Sequence, residues 1–211
     1  MRLPRLYPIL DTGSLESRKF SFTRAAAAFL EGGAKVLQFR HKGHWSRAVF
    51  EDAREIARVC REEGAAFIVD DRADIAMLLE AGLHLGQDDL APRDARRLLG
   101  PDAVVGFSSH NMAQLSAAGG EPVNYVAFGP VFATASKRNP DPVTGIEMLK
   151  ECRALVDKPL VAVGGITRET AAAVLAAGAD SVAVVGDLLP AVLTSQSLRE
   201  RMEEWQRLVA K

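Results

Sequence analysis

Apolar and polar positions along the chain follow two rhythms. Short apolar runs, many of them β-branched, occur at Leu6–Leu10, Val36–Arg40, Ala66–Asp70, Gly82–Gly86, Val104–Ser108, Tyr125–Gly129, Leu160–Gly164 and Ser181–Gly186. Longer stretches between them repeat every three or four residues, as in Trp45–Glu63, where Val49, Ala53, Ile56, Ala57 and Cys60 share one helical face. The first kind predicts strands and the second amphipathic helices. Glycine marks the returns at Gly32-Gly33, Gly64, Gly82 and Gly178, each placed to end a helix before the next strand.

Eight strands, each followed by a helix, fit either a closed (β/α)8 barrel or an open doubly wound sheet. No GxGxxG follows the first strand and no GxxxxGKS/T occurs anywhere, which weakens the open nucleotide-binding alternatives. The 211 residues allow about 26 per unit, tight but feasible for a barrel. The pattern predicts a single α/β domain over residues 1–211, a (β/α)8 TIM barrel, with no linker or low-complexity stretch dividing it.

Charge and cysteine content narrow the functional classes. Lys plus Arg is 26 and Asp plus Glu 27, a net charge of -1. That balance argues against a nucleic-acid or membrane-surface protein working through bulk charge, though not against a local basic pocket. Cys60 and Cys152 lie far apart, in no CxxC or His-spaced pair, so neither a disulfide scaffold nor a zinc module is expected. The opening MRLPRLYPIL is broken by Pro4 and Pro8, unlike a signal peptide. No apolar run approaches the roughly 20 residues of a membrane span. The expected location is the cytoplasm, and self-association to a homo-oligomer stays open.

A barrel carries its chemistry at the C-terminal ends of its strands. The second strand ends in Gln38-Phe39-Arg40-His41-Lys42, and period-2 alternation places Gln38 and Arg40 on one face with Lys42 following onto the loop. These are either solvated cations or ligands for an anion, since buried polar groups need partners. The third strand ends in Asp70-Asp71-Arg72 and the fourth in Gly86-Gln87-Asp88-Asp89. Such acids commonly cap the next helix. Taken together on neighbouring strands, they suit a hard cation such as Mg2+, which takes one or two carboxylates plus substrate phosphates.

Beyond the fifth strand stand Ser108, Ser109 and His110, without the G-x-S-x-G elbow of a serine nucleophile; Ser109 or Asn111 could cap the following helix. The long connection after the sixth strand holds Thr134, Ser136, Lys137 and Arg138, and long loops in compact barrels are usually functional. Gly164-Gly165 and Val185-Gly186 close the last two strands, where glycine lets backbone N–H groups approach a phosphate. The segment Asp11–Phe20 and the loop Pro130–Val143, both long and polar, are expected to be mobile covers. The rim thus reads as a two-anion site: cations and carboxylates for a Mg-diphosphate, and a glycine cradle for a monophosphate.

With these motifs in order, the sequence resembles the thiamine phosphate synthases over nearly its whole length. Gln38-Phe39-Arg40-His41-Lys42 matches the family's Q-L-R-x-K, Phe67–Asp71 its F-I-V-N-D, and His84–Asp89 its H-L-G-Q-x-D. Ser108-Ser109-His110 matches S-x-H, and Gly129–Lys137 matches G-P-x-F-x-T-x-T-K. The resemblance implies transfer of a hydroxymethylpyrimidine from its diphosphate to a thiazole monophosphate, with ionisation of the C–O bond before capture by the thiazole nitrogen. It implies that Arg40, Lys42, Lys137 and Ser108 stabilise the leaving pyrophosphate and that Asp71 and Asp89 hold Mg2+. It also implies that Gln38 contacts the pyrimidine and that Thr134, Ser136, Gly165, Val185 and Gly186 cradle the thiazole phosphate. Asp70 stands where the family usually has Asn, Ser136 where it has Thr, and Gly186 where it often has Ser. A carboxylate cannot donate to a diphosphate as an amide can, so Asp70 would either tighten metal binding or repel that substrate. The related thiazole tautomerase, using His110 as acid and base, and a non-catalytic sensor of thiamine precursors are the alternative readings.

Overall fold

A computed structural model of the chain describes residues 3–134 and 141–210. Eight parallel strands close a barrel in sequence order: β1 (Leu6–Asp11), β2 (Val36–Arg40), β3 (Ala66–Asp70), β4 (Gly82–Leu85), β5 (Val105–Ser109), β6 (Tyr125–Phe128), β7 (Leu160–Val163) and β8 (Ser181–Val184). Each expected strand is present, β2 and β3 with the expected ends and the others with ends moved by one or two residues. The expected Val104–Ser108 strand, for example, runs from Val105 to Ser109.

Period-2 alternation sorts each strand between two cores. Leu37 and Phe39 of β2 and Val69 of β3 face outward to the helices. Tyr7, Ile9, Val36, Ile68, Tyr125, Ala127, Val161 and Ala183 fill the barrel interior. Gly106 serves this interior by absence: a Cβ there would stand 2.0 Å from Tyr125 Cζ, so the ring of β6 occupies the space that β5 leaves open.

The outer ring comprises α2 (Phe22–Glu31), α3 (Arg47–Glu62), α4 (Ala73–Leu78), α5 (Pro92–Leu99), α6 (Met112–Gly119), α7 (Gly145–Arg153), α8 (Ala171–Ala176) and α9 (Ser195–Val209), preceded by a short α1 (Thr12–Glu16). Ser21, Ser46, Asn111 and Thr194 cap α2, α3, α6 and α9 through their side-chain oxygens, each satisfying an orphan N–H. The α9 helix buries Leu198, Met202 and Trp205 and lies so close to the end of α2 that a Cβ on Gly32 would meet Met202 Cβ at 2.6 Å. The first and last ring helices are thereby joined. No helix among the described residues is long and apolar enough to cross a membrane.

The segment Asp11–Phe20, expected to be a mobile cover, contains a short helix with two buried anchors. Asp11 belongs to β1 and caps α1, accepting from Ser14 N at 2.9 Å, while Thr12 and Leu15 are buried. The cap and the two buried side chains offset the polarity that suggested a free loop.

Candidate active site

At the C-terminal mouth of the barrel lies a cavity of about 450 Å3. Its charged wall comes from β2, β3 and the turns after them. The Arg40 guanidinium pairs with the Asp11 carboxylate, and its Nε lies 3.7 Å from Asp70 Oδ2. Lys42 Nζ lies 2.8 Å from the same Asp70 oxygen and also pairs with Asp71. Asp70 is buried, 6% exposed. Burial pushes its carboxyl up to about 6, against the pull of Lys42 and with a contribution from the Asp71 charge. Burial works against the Lys42 ammonium too, but Asp70 and Asp71 outweigh it and hold Lys42 above its ordinary range.

The acidic strand ends are not helix caps. Arg72 and Ala91 occupy the cap positions of α4 and α5, neither with a capping side chain. Asp71 instead takes a left-handed backbone (φ 63°), an uncommon conformation for a side chain that is often found at functional sites. Its N–H donates to His84 O at 2.8 Å. Asp89, just behind the cavity lining, accepts from Gly86 N at 2.7 Å. Burial raises the Asp89 carboxyl, opposed by that N–H and reinforced by the facing Asp71 charge. No group of three metal-ligating side chains occurs among the described residues. Two facing carboxylates, one of them on the cavity wall, nevertheless suit a Mg2+ ion, which draws the rest of its shell from phosphate and water.

A polar chain crosses the barrel beneath these charges. Gln38 Nε2 donates to Tyr7 Oη at 3.3 Å, Tyr7 Oη meets Tyr125 Oη at 2.7 Å, Tyr125 Oη meets His84 Nδ1 at 3.0 Å, and His84 Nε2 meets Ser108 Oγ at 2.9 Å. Burial pushes the His84 imidazolium down to about 4, with Asp71 opposing and Lys42 assisting. The ring is therefore neutral near pH 7.

The opposite wall, from β6, β7 and β8, is mostly backbone and apolar. Thr134, Gly165, Ile166, Val185 and Gly186 line it. Gly164 and Gly165 have φ of 99° and 62°, and a Cβ on Gly165 would lie 2.3 Å from Ala133 O. These glycines admit the neighbouring loop as well as exposing backbone. Val131 N and Phe132 N donate to Val163 O and Gly164 O at 2.9 and 3.0 Å. Gly186 is different: a Cβ there would meet nothing within 4 Å.

Gln38, Arg40, Lys42, Asp70, Asp71, Ser108, Thr134, Gly165, Val185 and Gly186 thus converge on one cavity. Ser136 and Lys137 lie outside the described residues. Ser109 is structural, donating to Ala127 O at 2.8 Å, and Asn111 is the α6 cap. His110 lines the cavity with Nδ1 donating to Gly129 O at 2.7 Å. Sequence reasoning missed Asp11, Tyr7 and Tyr125 and gave His84 no role. Asp11 was accessible to the strand-end rule had β1 been extended by one residue. The tyrosines carried a weaker signal, a polar tip on an apolar strand.

Fold and site together define a (β/α)8-barrel enzyme with a charged, carboxylate-paired subsite facing a glycine-lined one. The chain belongs to the thiamine monophosphate synthase family, whose model matches residues 6–188. It is 46% identical over 192 residues to a thiamine-phosphate synthase of Koribacter versatilis, covering 90% of each chain. A thiamine-phosphate synthase of Methanoculleus marisnigri is 44% identical over 205 residues, covering 93% of this chain and 94% of that one. A thiamine phosphate pyrophosphorylase structure from Pyrococcus furiosus superposes with a TM-score of 0.83 at 31% identity, covering 98% of this chain and 95% of that one.

Proposed function

We propose that this enzyme is a transferase that joins 4-amino-2-methyl-5-hydroxymethylpyrimidine diphosphate to 4-methyl-5-(2-phosphoethyl)thiazole, producing thiamine phosphate and pyrophosphate. The observation that carries this reading is the placement of Arg40 and Lys42, beside Asp71, on the wall opposite Gly165 and Gly186 in one cavity. Two anions of different charge thus have separate places within reach of each other.

The C–O bond of the pyrimidine diphosphate breaks heterolytically, and its electron pair leaves with the pyrophosphate oxygen. The thiazole nitrogen supplies the pair for the new C–N bond, leaving the positive charge on the thiazolium ring. Arg40 and Lys42 favour this step because negative charge grows on the departing oxygens. Ser108 adds a neutral hydrogen bond, and Lys137 a further cation. Asp71 and Asp89 would hold Mg2+, which when bound supplies charge neutralisation for the diphosphate. Gln38 contacts the pyrimidine, and Thr134, Ser136, Gly165, Val185 and Gly186 receive the thiazole phosphate. Arg40 is paired with Asp11, and Lys42 with Asp70 and Asp71, so the diphosphate competes with these carboxylates for both cations.

A cytoplasmic location belongs to the same reading. It is supported by Cys60 and Cys152, which are buried and unpaired, with thiols pushed by burial up to about 12 and about 11. The deciding assay is pyrophosphate release from the two substrates with and without Mg2+. Release requiring both substrates and the metal is the expected result. Binding of thiazole phosphate without release selects the sensor, and metal-independent tautomer exchange on the thiazole selects the tautomerase.

A further inference from the structure

The chain contains only two tyrosines, and both hydroxyls meet inside the barrel although 118 residues separate them. Neither ring faces bulk solvent, since Tyr7 and Tyr125 are each 1% exposed. Burial of two phenols and an imidazole is costly unless each polar atom is paired, and the pairing here has a direction. The Gln38 amide N–H can only donate, so Tyr7 accepts from it, and the buried Tyr7 O–H is satisfied by donating to Tyr125 Oη. Tyr125 then donates to His84 Nδ1. A neutral imidazole that accepts at Nδ1 carries its proton on Nε2, which donates to Ser108 Oγ. Ser108 has thereby received its hydrogen bond, and its own proton is free to turn into the cavity. The stacking of His84 on Tyr125, with centroids 5.6 Å apart and planes 18° apart, holds the ring in this alignment.

We propose that Tyr7, Tyr125 and His84 are positioning residues that set the direction of the Ser108 hydroxyl, so that it donates to the departing diphosphate oxygen. The proposal rests on the condensation reading for the identity of that oxygen. It also links the two ends of one substrate. Gln38, assigned to the pyrimidine, starts the chain of donors, and Ser108, assigned to the leaving group, ends it. Without Tyr125 Oη the imidazole can place its proton on Nδ1, and Ser108 then donates back to Nε2 and away from the substrate.

Two measurements test this. Nitrogen-15 NMR of the four histidines, with His84 identified by the signal lost in His84→Phe, should show one neutral tautomer protonated at Nε2. Tyr125→Phe should shift His84 toward the Nδ1-protonated form; an Nδ1-protonated parent overturns the proposal whatever the activity. In kinetics, Tyr125→Phe and His84→Phe should each lower kcat about tenfold with KM for the diphosphate within twofold. His84→Gln, which keeps a donor near Nε2, should retain kcat within about threefold. Adding Tyr125→Phe to Ser108→Ala should cost nothing further, whereas multiplying losses would place Tyr125 outside the Ser108 pathway. A parent that releases no pyrophosphate overturns the condensation reading, and the tautomer measurement then decides the direction of the chain by itself.

Discussion

Lys42 Nζ lies 2.8 Å from Asp70 Oδ2, so the ammonium best placed for a diphosphate is held by a buried carboxylate. An asparagine at 70 would leave Lys42 paired with Asp71 alone and add an amide donor. Asp70→Asn is expected to lower KM for the pyrimidine diphosphate about fivefold, equivalent to about 1 kcal/mol. Steady-state kinetics at saturating thiazole phosphate measures this, and an unchanged KM would show that Asp70 does not compete with the substrate.

The same substitution has a pH signature. His84 has its folded value pushed down to about 4 from 6.5, so its contribution to stability is full above pH 6.5 and is lost as pH falls toward 4. Asp70 has its folded value pushed up to about 6 from 3.8, so its contribution is full below pH 3.8 and is lost as pH rises through 6. In the parent the two opposing slopes largely offset each other between pH 4 and 6. Asp70→Asn removes the Asp70 slope and leaves the histidine slope, on the order of 3 kcal/mol across pH 6.5 to 4, opposed by the raised Asp89 carboxyl. Urea midpoints at pH 7, 6, 5 and 4 should fall more steeply in the variant than in the parent; parallel curves would contradict this account.

Asp71 and Asp89 predict a metal phenotype. Asp71→Asn and Asp89→Asn should each raise the Mg2+ concentration for half-maximal rate by tenfold or more, because on the proposed reading each removes a charged oxygen ligand. Thermal melts without metal should remain near the parent. A rate loss that no Mg2+ concentration recovers would assign these carboxylates another task.

The cavity glycines should behave oppositely. Gly186→Ser places its side chain in open space and, on the proposed role of Gly186, would add a hydroxyl facing the thiazole phosphate, so KM for that substrate should fall two- to fivefold with stability unchanged within about 0.5 kcal/mol. Gly165→Ala meets both a φ of 62° and the Ala133 carbonyl at 2.3 Å, and should cost about 2 kcal/mol or more. Denaturation midpoints and KM values for both variants separate the two cases.

Gly106→Ala probes the barrel interior. The added methyl would overlap the Tyr125 ring, whose Oη is 2.4 Å from the Cβ position. The expected loss is about 1–3 kcal/mol from overpacking. Much of that loss should vanish in a Tyr125→Leu background, and equal penalties in both backgrounds would separate the glycine from the ring.

Apolar runs as short as Leu160–Val163 were legible because a barrel strand must alternate between two cores, and the charged rim was legible because strand ends carry the chemistry. The pairing of charges was not. Arg40 and Asp11 are adjacent only because Asp11 pairs with Arg40 in the β1–β2 register, which local pattern does not specify. The meeting of Tyr7 with Tyr125 was hidden for a related reason. Period-2 alternation tells which side chains enter the barrel, while their depth depends on the stagger of strands far apart in sequence. The glycines at 164 and 165 were found for their backbone, but their need to admit residues 130–133 is a tertiary constraint.

The two walls of the cavity come from different parts of the chain. Arg40, Lys42, Asp70 and Asp71 belong to β2, β3 and the turns after them, while Gly165, Val185 and Gly186 follow β7 and β8. On the proposed roles the chemistry is largely separated along the chain: Arg40, Lys42, Asp71 and Asp89 near its front would serve the donor of the pyrimidine and Gly165, Val185 and Gly186 near its end the acceptor, with Ser108, Thr134, Ser136 and Lys137 between them in sequence. Mutational drift in one stretch can alter preference for one substrate while the surface that grips the other stays intact.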